Sequence, residues 1–302
     1  MGIASGVQTP AVGAASTATV RKRRRWQAAR AFVRTPTAVV GMAMVIAWIV
    51  IALTITFWAP YDPIKQDIVN RLHPPSVQHL FGTDYLGRDV LTRVLYGSRI
   101  SLPVAILVSL ASLAAGSFLG ATAGFMGGLT DEITMRLADI TLAFPSIVLA
   151  MAIIAATGPG LTNAMIAMLI VGWPQYARLM RAQVLAVKEQ EHVMAARSIG
   201  ASEGRVLLQH VVPLCIGPLI VAVTLDMGNV LLLASALSFI GLGAVPPQPE
   251  WGLAVAEGRT KFAQWWVSGF PGLAIMSMVL GFNFIGDSLR DVLDPRARTQ
   301  DF

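Results

Sequence analysis

Asp226 and Asn229 stand in the middle of an apolar run, Leu214 to Ile240. A carboxylate held in hydrocarbon costs at least about 2.5–3.5 kcal/mol on insertion scales, so it needs a partner or water. It can also act as counter-ion to a cationic cargo. Asp226 lies twelve residues into the run, about 18 Å along at 1.5 Å per residue, near the middle of a bilayer core about 30 Å thick. Asn229 follows one turn on, on the same face. Two readings stand: the pair lines a path that tolerates an ammonium group, or it makes a structural hydrogen bond or ion pair to a neighbouring helix. Other chemistry finds no foothold. His73, His79, His192 and His210 show no HExxH or Cys/His ligand spacing and so offer no metal site. Cys215 is the single cysteine, which excludes an internal disulfide and reads as a small buried hydrophobe. GxxxxGK[ST] is missing, so the chain encodes no phosphate cradle.

The elements that must position Asp226 are membrane helices. Of the 302 residues 55% are hydrophobic and 13% charged, and long uncharged runs mark a membrane protein. Six runs are long enough to cross: Thr37 to Trp58, Ile100 to Phe125, Leu137 to Ala156, Leu161 to Leu179, Leu214 to Ile240 and Phe270 to Leu289. Residues 1 to 20 have no apolar period and read as a disordered tail. The basic run Arg21 to Arg25 then holds the N-terminus in the cytoplasm rather than marking a nucleic-acid site. With six spans both termini share that side. Sixteen of the 23 Lys and Arg fall there and seven on the other, as the positive-inside rule requires. Gly116, Gly120 and Gly124 form a doubled GxxxG on the second run, suited to close helix crossing within the chain or between subunits. Pro103 and Pro145 can kink the second and third runs. Asp139 and Asp287, near span ends, read as solvated.

The stretch "MAARSIGASEGRVLLQHVVP", Met194 to Pro213, is polar and small between two greasy runs. The preceding residues are good helix formers, and Gly200 to Ser202 supply a stop and a new N-cap. The spacing predicts a cytoplasmic helix-turn-helix, with a second short helix from Ser202 leading into the fifth span. Ala195, Ala196 and Gly200 allow close approach, either by the chain's own bundle or by a docking partner.

This stretch resembles the EAA loop of ABC-importer permeases. Ala195 and Ala196 fill the two alanines, Gly200 the glycine and Pro213 the proline thirteen residues on. Met194 stands where that family has Glu, and "HVVP" is similar to the ending in the peptide branch. "FGTDYLGRDVLTRVLYGSRISL", "ALSFIGLGAVPPQPEWG" and "GDSLRDVLDPRAR" resemble further blocks of the branch, so the likeness runs from Thr35 to Arg298. Ala234 stands where the branch often carries a Glu. The resemblance implies a six-transmembrane-helix, all-α type I ABC importer permease of the dipeptide, oligopeptide and nickel branch, C-type, in a bacterial inner membrane with both termini cytoplasmic. It divides the chain into a tail (1–36), a first span plus extracytoplasmic loop (37–99), a core (100–290) with its EAA loop at about 181–213, and a cytoplasmic end (291–302). Met194, Ala195, Ala196, Gly200, Ala201 and Ser202 would form the coupling helix that docks on an ATPase. The resemblance also implies the partners: a second homologous permease, one or two ATP-binding subunits that hold ATP and magnesium, and an extracytoplasmic binding protein. The binding protein would meet the loop from Ala59 to Arg99 and the loop Val245 to Trp251. This chain itself would bind no cofactor, metal or nucleic acid and would not be an enzyme. The cargo implied is a di- or oligopeptide, with nickel or glutathione as alternatives. A stand-alone channel or secondary transporter leaves the coupling stretch without a purpose, and a membrane-embedded enzyme has no site.

Overall fold

The computed structural model describes residues 35–293. Arg21 to Arg25, nearly all of the tail and most of the C-terminal end lie outside the described residues. In chain order the helices are α1 (Pro36–Trp58), α2 (Val90–Met126), α3 (Gly128–Leu142), α4 (Ser146–Thr157), α5 (Leu161–Lys188), α6 (Glu191–Ser198), α7 (Glu203–Phe239), α8 (Trp251–Gly258) and α9 (Trp266–Leu293). Among the described residues there is no strand beyond one isolated bridge, Thr83 with Asp89.

Helix α1 starts on a proline, whose missing N–H breaks no helical bond in the first turn. It is apolar all round, the pattern of a helix set in hydrocarbon, and Phe57 is 87% exposed. Its inward seam is Ala38, Gly41 and Val45. That seam meets α9, where Gly281 faces Val45 and the Phe284 Cβ would stand 2.8 Å from any Cβ at Gly41. Trp48 Nε1 donates to Ser277 Oγ at 2.9 Å across the same pair of helices.

By length and composition α1, α2, α7 and α9 can each cross a membrane, and α3 with α4 makes a fifth crossing if that bent pair counts as one. The expected third span, Leu137 to Ala156, is thereby corrected. It is not one helix but two, bent by 92° at Ala143 to Pro145. Proline disfavours helical backbone at Phe144 and has no N–H to continue the ladder, so α3 ends at Leu142 and α4 restarts at Ser146. The expected fourth span coincides with α5, which is long enough but too polar beyond Val171 to count by composition. One face of that half packs against protein, where Tyr176, Ala177 and Met180 are buried, while Gln175 and Arg178 are exposed. The helices of the second and fifth runs, α2 and α7, begin earlier than those runs, at Val90 and Glu203. Helix α2, with 37 residues, is about 56 Å long and so projects well beyond the hydrocarbon.

The most extensive helix–helix contact joins α2 to α5. Gly116, Gly120 and Gly124 step along it in register with Trp173, Ala177 and Arg181, so the two helices run parallel. A Cβ on Gly116 or Gly120 would collide with the carbonyl oxygens of Trp173 and Ala177, and one on Gly124 would stand 3.0 Å from that of Arg181. Backbone-to-backbone approach of this kind is what small residues permit between helices in a bilayer, where no hydrophobic drive operates. Overpacking a core typically costs about 1–3 kcal/mol even where side chains can give way, and a carbonyl cannot. Gly120→Val is therefore expected to lower the thermal midpoint of the detergent-solubilised chain by several degrees. Gly217→Val, where nothing lies within 4 Å of the added Cβ, is expected to leave it unchanged; equal effects would mean the crossing is not this close.

Candidate functional site

The first candidate site is the turn between α5 and α7. Helix α5 ends at Lys188 and α6 stands alone between that break and Gly200. Gly200 has φ +85, a backbone region that glycine enters without steric strain. Its N–H donates to the Arg197 carbonyl at 2.9 Å and that of Ala201 to Ala196 at 3.2 Å, closing the helix end. Ser202 is extended just before Glu203, but its side chain makes no cap bond. Met194, Ala195, Gly200 and Ser202 are exposed and Ala201 half-buried, whereas Ala196 faces the bundle beside Val193. The six residues thus share one short segment without sharing one face. Ile199, which the spacing did not single out, is 86% exposed at its tip. Two cations tie the segment to the end of α2: Lys188 Nζ donates to the Gly124 carbonyl at 3.0 Å, and the Arg197 guanidinium lies 5.3 Å from the Phe125 ring centroid. Beyond the turn, α7 passes through one π segment, Val206–Val211. Pro213 has no N–H to give, and the Val212 N–H reaches five residues back to the Leu207 carbonyl.

The second candidate is a cavity of about 390 Å³ walled by Thr141, Phe144, Ser146, Gln175, Asp226 and Asn229 among others. The break between α3 and α4 shapes part of the wall, since Thr141, Leu142, Phe144 and Ser146 line it at and beside the bend. Asp226 and Asn229 are contributed to the lining by α7. Asp226 also makes a hydrogen bond to a neighbouring helix: Tyr176 Oη donates to its Oδ2 at 2.7 Å. One carboxylate therefore has both geometries that its sequence position allows. Tyr176 and Gln175 were not foreseen; Tyr176 is 50 residues from Asp226, a separation that leaves no periodic signal.

The third candidate is the opposite end of the bundle, where the charged side chains of Asp84, Arg88, Asp89, Arg93, Glu250 and Glu257 are buried in the loop before α2, at the start of α2 and at the two ends of α8. Arg88 Nε donates to Asp84 Oδ2 at 2.6 Å and its Nη2 to Glu257 Oε2 at 2.8 Å. Arg93 Nη2 donates to the same Glu257 oxygen at 2.9 Å. Burial opposes the Arg88 cation, but Asp84 and Glu257 beside it hold its pKa above the ordinary arginine value. Asp89 caps α2 through the Thr92 N–H at 2.8 Å and pairs with His79 Nδ1 at 2.9 Å. Glu250 caps α8 through the N–H groups of Gly252 and Leu253; burial pushes its carboxyl up, against the pull of those donors. Trp251 Nε1 donates to the Val94 carbonyl at 2.7 Å. The loop before α2, the start of α2 and helix α8 are thus one platform. Asp139, by contrast, is open to solvent and paired with Arg178.

Residues 116–299 match the family described as binding-protein-dependent transport system inner membrane component. Residues 24–75 match the N-terminal TM domain of oligopeptide transport permease C. The dipeptide transport system permease protein DppC of Alkalihalophilus pseudofirmus is 44% identical over 264 residues, covering 87% of this chain and 86% of that protein. The nickel transport system permease protein NikC of Escherichia coli (strain K12) is 40% identical over 251 residues, 83% of this chain and 91% of that one. Among solved structures, a chain of the MetNI methionine ABC transporter in an inward-facing conformation superposes with a TM-score of 0.55 at 17% identity, covering 67% of this chain and 97% of that chain. That likeness carries the fold.

Removing one member of a buried, balanced ion cluster leaves a charge uncompensated and costs about 3–5 kcal/mol. Arg88→Met is expected to destabilise the loop platform by that order, read as rapid proteolysis between α1 and α2 and a lower thermal midpoint. Arg99→Met, at an exposed position, is expected to change either by less than about a fifth as much.

Proposed function

The chain belongs to the inner-membrane components of binding-protein-dependent transport systems, and from that premise we propose that it forms half of the translocation path of an ATP-driven importer of di- or oligopeptides. Its place is a bacterial inner membrane, with both termini in the cytoplasm. A second, homologous permease supplies the other half of the path. One or two ATP-binding subunits hold ATP and magnesium, and an extracytoplasmic binding protein delivers the cargo to the platform of Arg88 and Glu257. Nickel or glutathione through the same machinery is the alternative cargo.

The observation that carries this reading is α6. A short helix closed by Gly200 stands between the ends of two long helices and exposes Met194 and Ile199. Exposed apolar side chains at the tip of a turn suit insertion into a groove on another protein. We assign Met194, Ala195, Gly200 and Ser202, with Ala196 and Ala201 packed behind them, to the contact with the ATPase. Met194 brings a thioether where relatives in the resemblance carry a Glu, so the contact here is by packing rather than by a charged hydrogen bond.

The cavity supports the second half of the reading. Among the described residues no cation forms an ion pair with Asp226, whereas Asp131 and Asp139 pair with Arg181 and Arg178. An unpaired acid in a membrane interior faces water or a cationic cargo, and a peptide's ammonium group supplies that cation. Asp226 and Asn229 are the residues we assign to the path.

The test is uptake of labelled di-, tri- and pentapeptides and of nickel ions in a strain lacking this chain. Wild type is expected to restore peptide uptake. Gly200→Val is expected to fail, because φ +85 is closed to a β-branched residue, while the chain still reaches the membrane. Asp226→Asn is expected to lower uptake about tenfold, roughly 1.4 kcal/mol of barrier, with assembly intact. Restoration of nickel uptake alone would replace the cargo, and unchanged uptake with Asp226→Asn would remove that residue from the path.

A further inference from the structure

The two long helices that leave the docking segment meet again inside the bundle at one polar contact. Tyr176 is on α5, twelve residues before its end at Lys188, and Asp226 is on α7. Between the docking segment and this contact the chain is packed without interruption. Val193 of α6 and Val206 at the start of α7 join Val184 and Met180 of α5 and Leu219 and Val223 of α7 in one apolar cluster, and the Tyr176 ring is part of it. Tyr176 is 1% exposed, and its Cβ would stand 2.7 Å from a Cβ on Gly116. Its backbone is therefore fixed to α2, its ring to the cluster that reaches the docking segment, and its hydroxyl to a carboxylate on the cavity wall. Among the described residues, Tyr176 supplies the one hydrogen bond that the Asp226 carboxylate accepts.

We infer that Tyr176 is a positioning residue of the transport cycle: its hydroxyl holds Asp226 in the cavity wall, and its buried ring makes that hold depend on where the docking segment stands. Close-packed interiors change between discrete arrangements rather than deforming smoothly. Displacement of α6 moves α2 and α5 together, because their backbones touch, and the movement is taken up between α5 and α7. A slide of about 1 Å takes a 2.7 Å hydrogen bond outside bonding range. A carboxylate released at that depth needs a new partner, which water or a cationic group of the cargo provides from the cavity. The coupling is reciprocal: a cargo cation that replaces Tyr176 favours the arrangement in which the hydrogen bond is broken.

This inference rests on the docking role proposed for α6, and not on the cargo being a peptide. The test uses the complete complex with its partner subunits in proteoliposomes, with loaded binding protein outside, and reads cargo transported per ATP hydrolysed. Tyr176→Phe keeps the ring and removes the hydroxyl; the ratio is expected to fall at least fivefold while the binding protein still stimulates ATP hydrolysis. Asp226→Asn keeps an oxygen that can accept from Tyr176, and the ratio is expected to stay near wild type although the rate falls. Asp226→Ala removes the acceptor and is expected to match Tyr176→Phe. An unchanged ratio in Tyr176→Phe overturns the inference. Should that variant fail to assemble, equal ratios for Asp226→Asn and Asp226→Ala overturn it instead. Gly200→Val reports separately on docking: stimulated hydrolysis that survives in that variant sinks the docking role whatever Tyr176→Phe does.

Discussion

Three carbonyl groups of α5 occupy the space that side chains of α2 would need, and the rest of the molecule is arranged around that contact. In hydrocarbon, helices gain nothing from hiding apolar surface, so they stay together by close packing and by polar contacts. The glycine crossing provides the first and brings the second into reach. With the backbones touching, Arg181 of α5 can pair with Asp131 of α3, and Lys188 can reach the Gly124 carbonyl. Tyr176 is carried inward to α7, and one face of the polar half of α5 is covered by protein. Without the crossing, α5 would lose the cover of Tyr176, which is 1% exposed, and the pairing of Arg181 with Asp131.

The two ends of the bundle are held by different physics. At the Arg88 end, charges are buried in a closed set of two cations and two anions, helix starts are capped by Asp89 and Glu250, and Trp251 is locked by its indole N–H. A buried ion cluster adds little net stability, but each member is strongly held by the others, so the end is stiff. At the Gly200 end, α6 is short and most of its residues are exposed; Val193 and Ala196 pack into the bundle, and the polar anchors of the segment are one lysine hydrogen bond and one arginine–ring contact. Elements with few buried contacts open and shift most easily. A stiff surface at the Arg88 end and a movable one at the Gly200 end suit the proposed machine, driven from the Gly200 end.

Much of this was legible in the sequence, and the limits have physical causes. Apolar runs located the spans, because crossing hydrocarbon demands about 20 apolar residues, and the Gly200 stop was read from turn chemistry that is local. The bend at Pro145 was visible as a proline, but its 92° was not, since the angle depends on what packs inside the corner. Periodicity describes the faces of one helix and is silent on which helix meets them. Tyr176 with Asp226, 50 residues apart, and Arg88 with Glu257, 169 apart, are set by tertiary packing alone. The polar loop therefore gave no sign that its arginines were buried, and α5 gave no sign that its polar half had a protein partner.

The central claim is that α2 and α5 move as one body and that movement falls between α5 and α7. Distances between spin labels test it most directly in the complete complex, with and without ATP. One pair of labels replaces the exposed Phe118 of α2 and Ile170 of α5, and a second replaces Ile170 and the exposed Leu232 of α7. The account predicts that the first distance stays constant while the second shifts by several ångströms. A change in the first distance with the second held constant would contradict it.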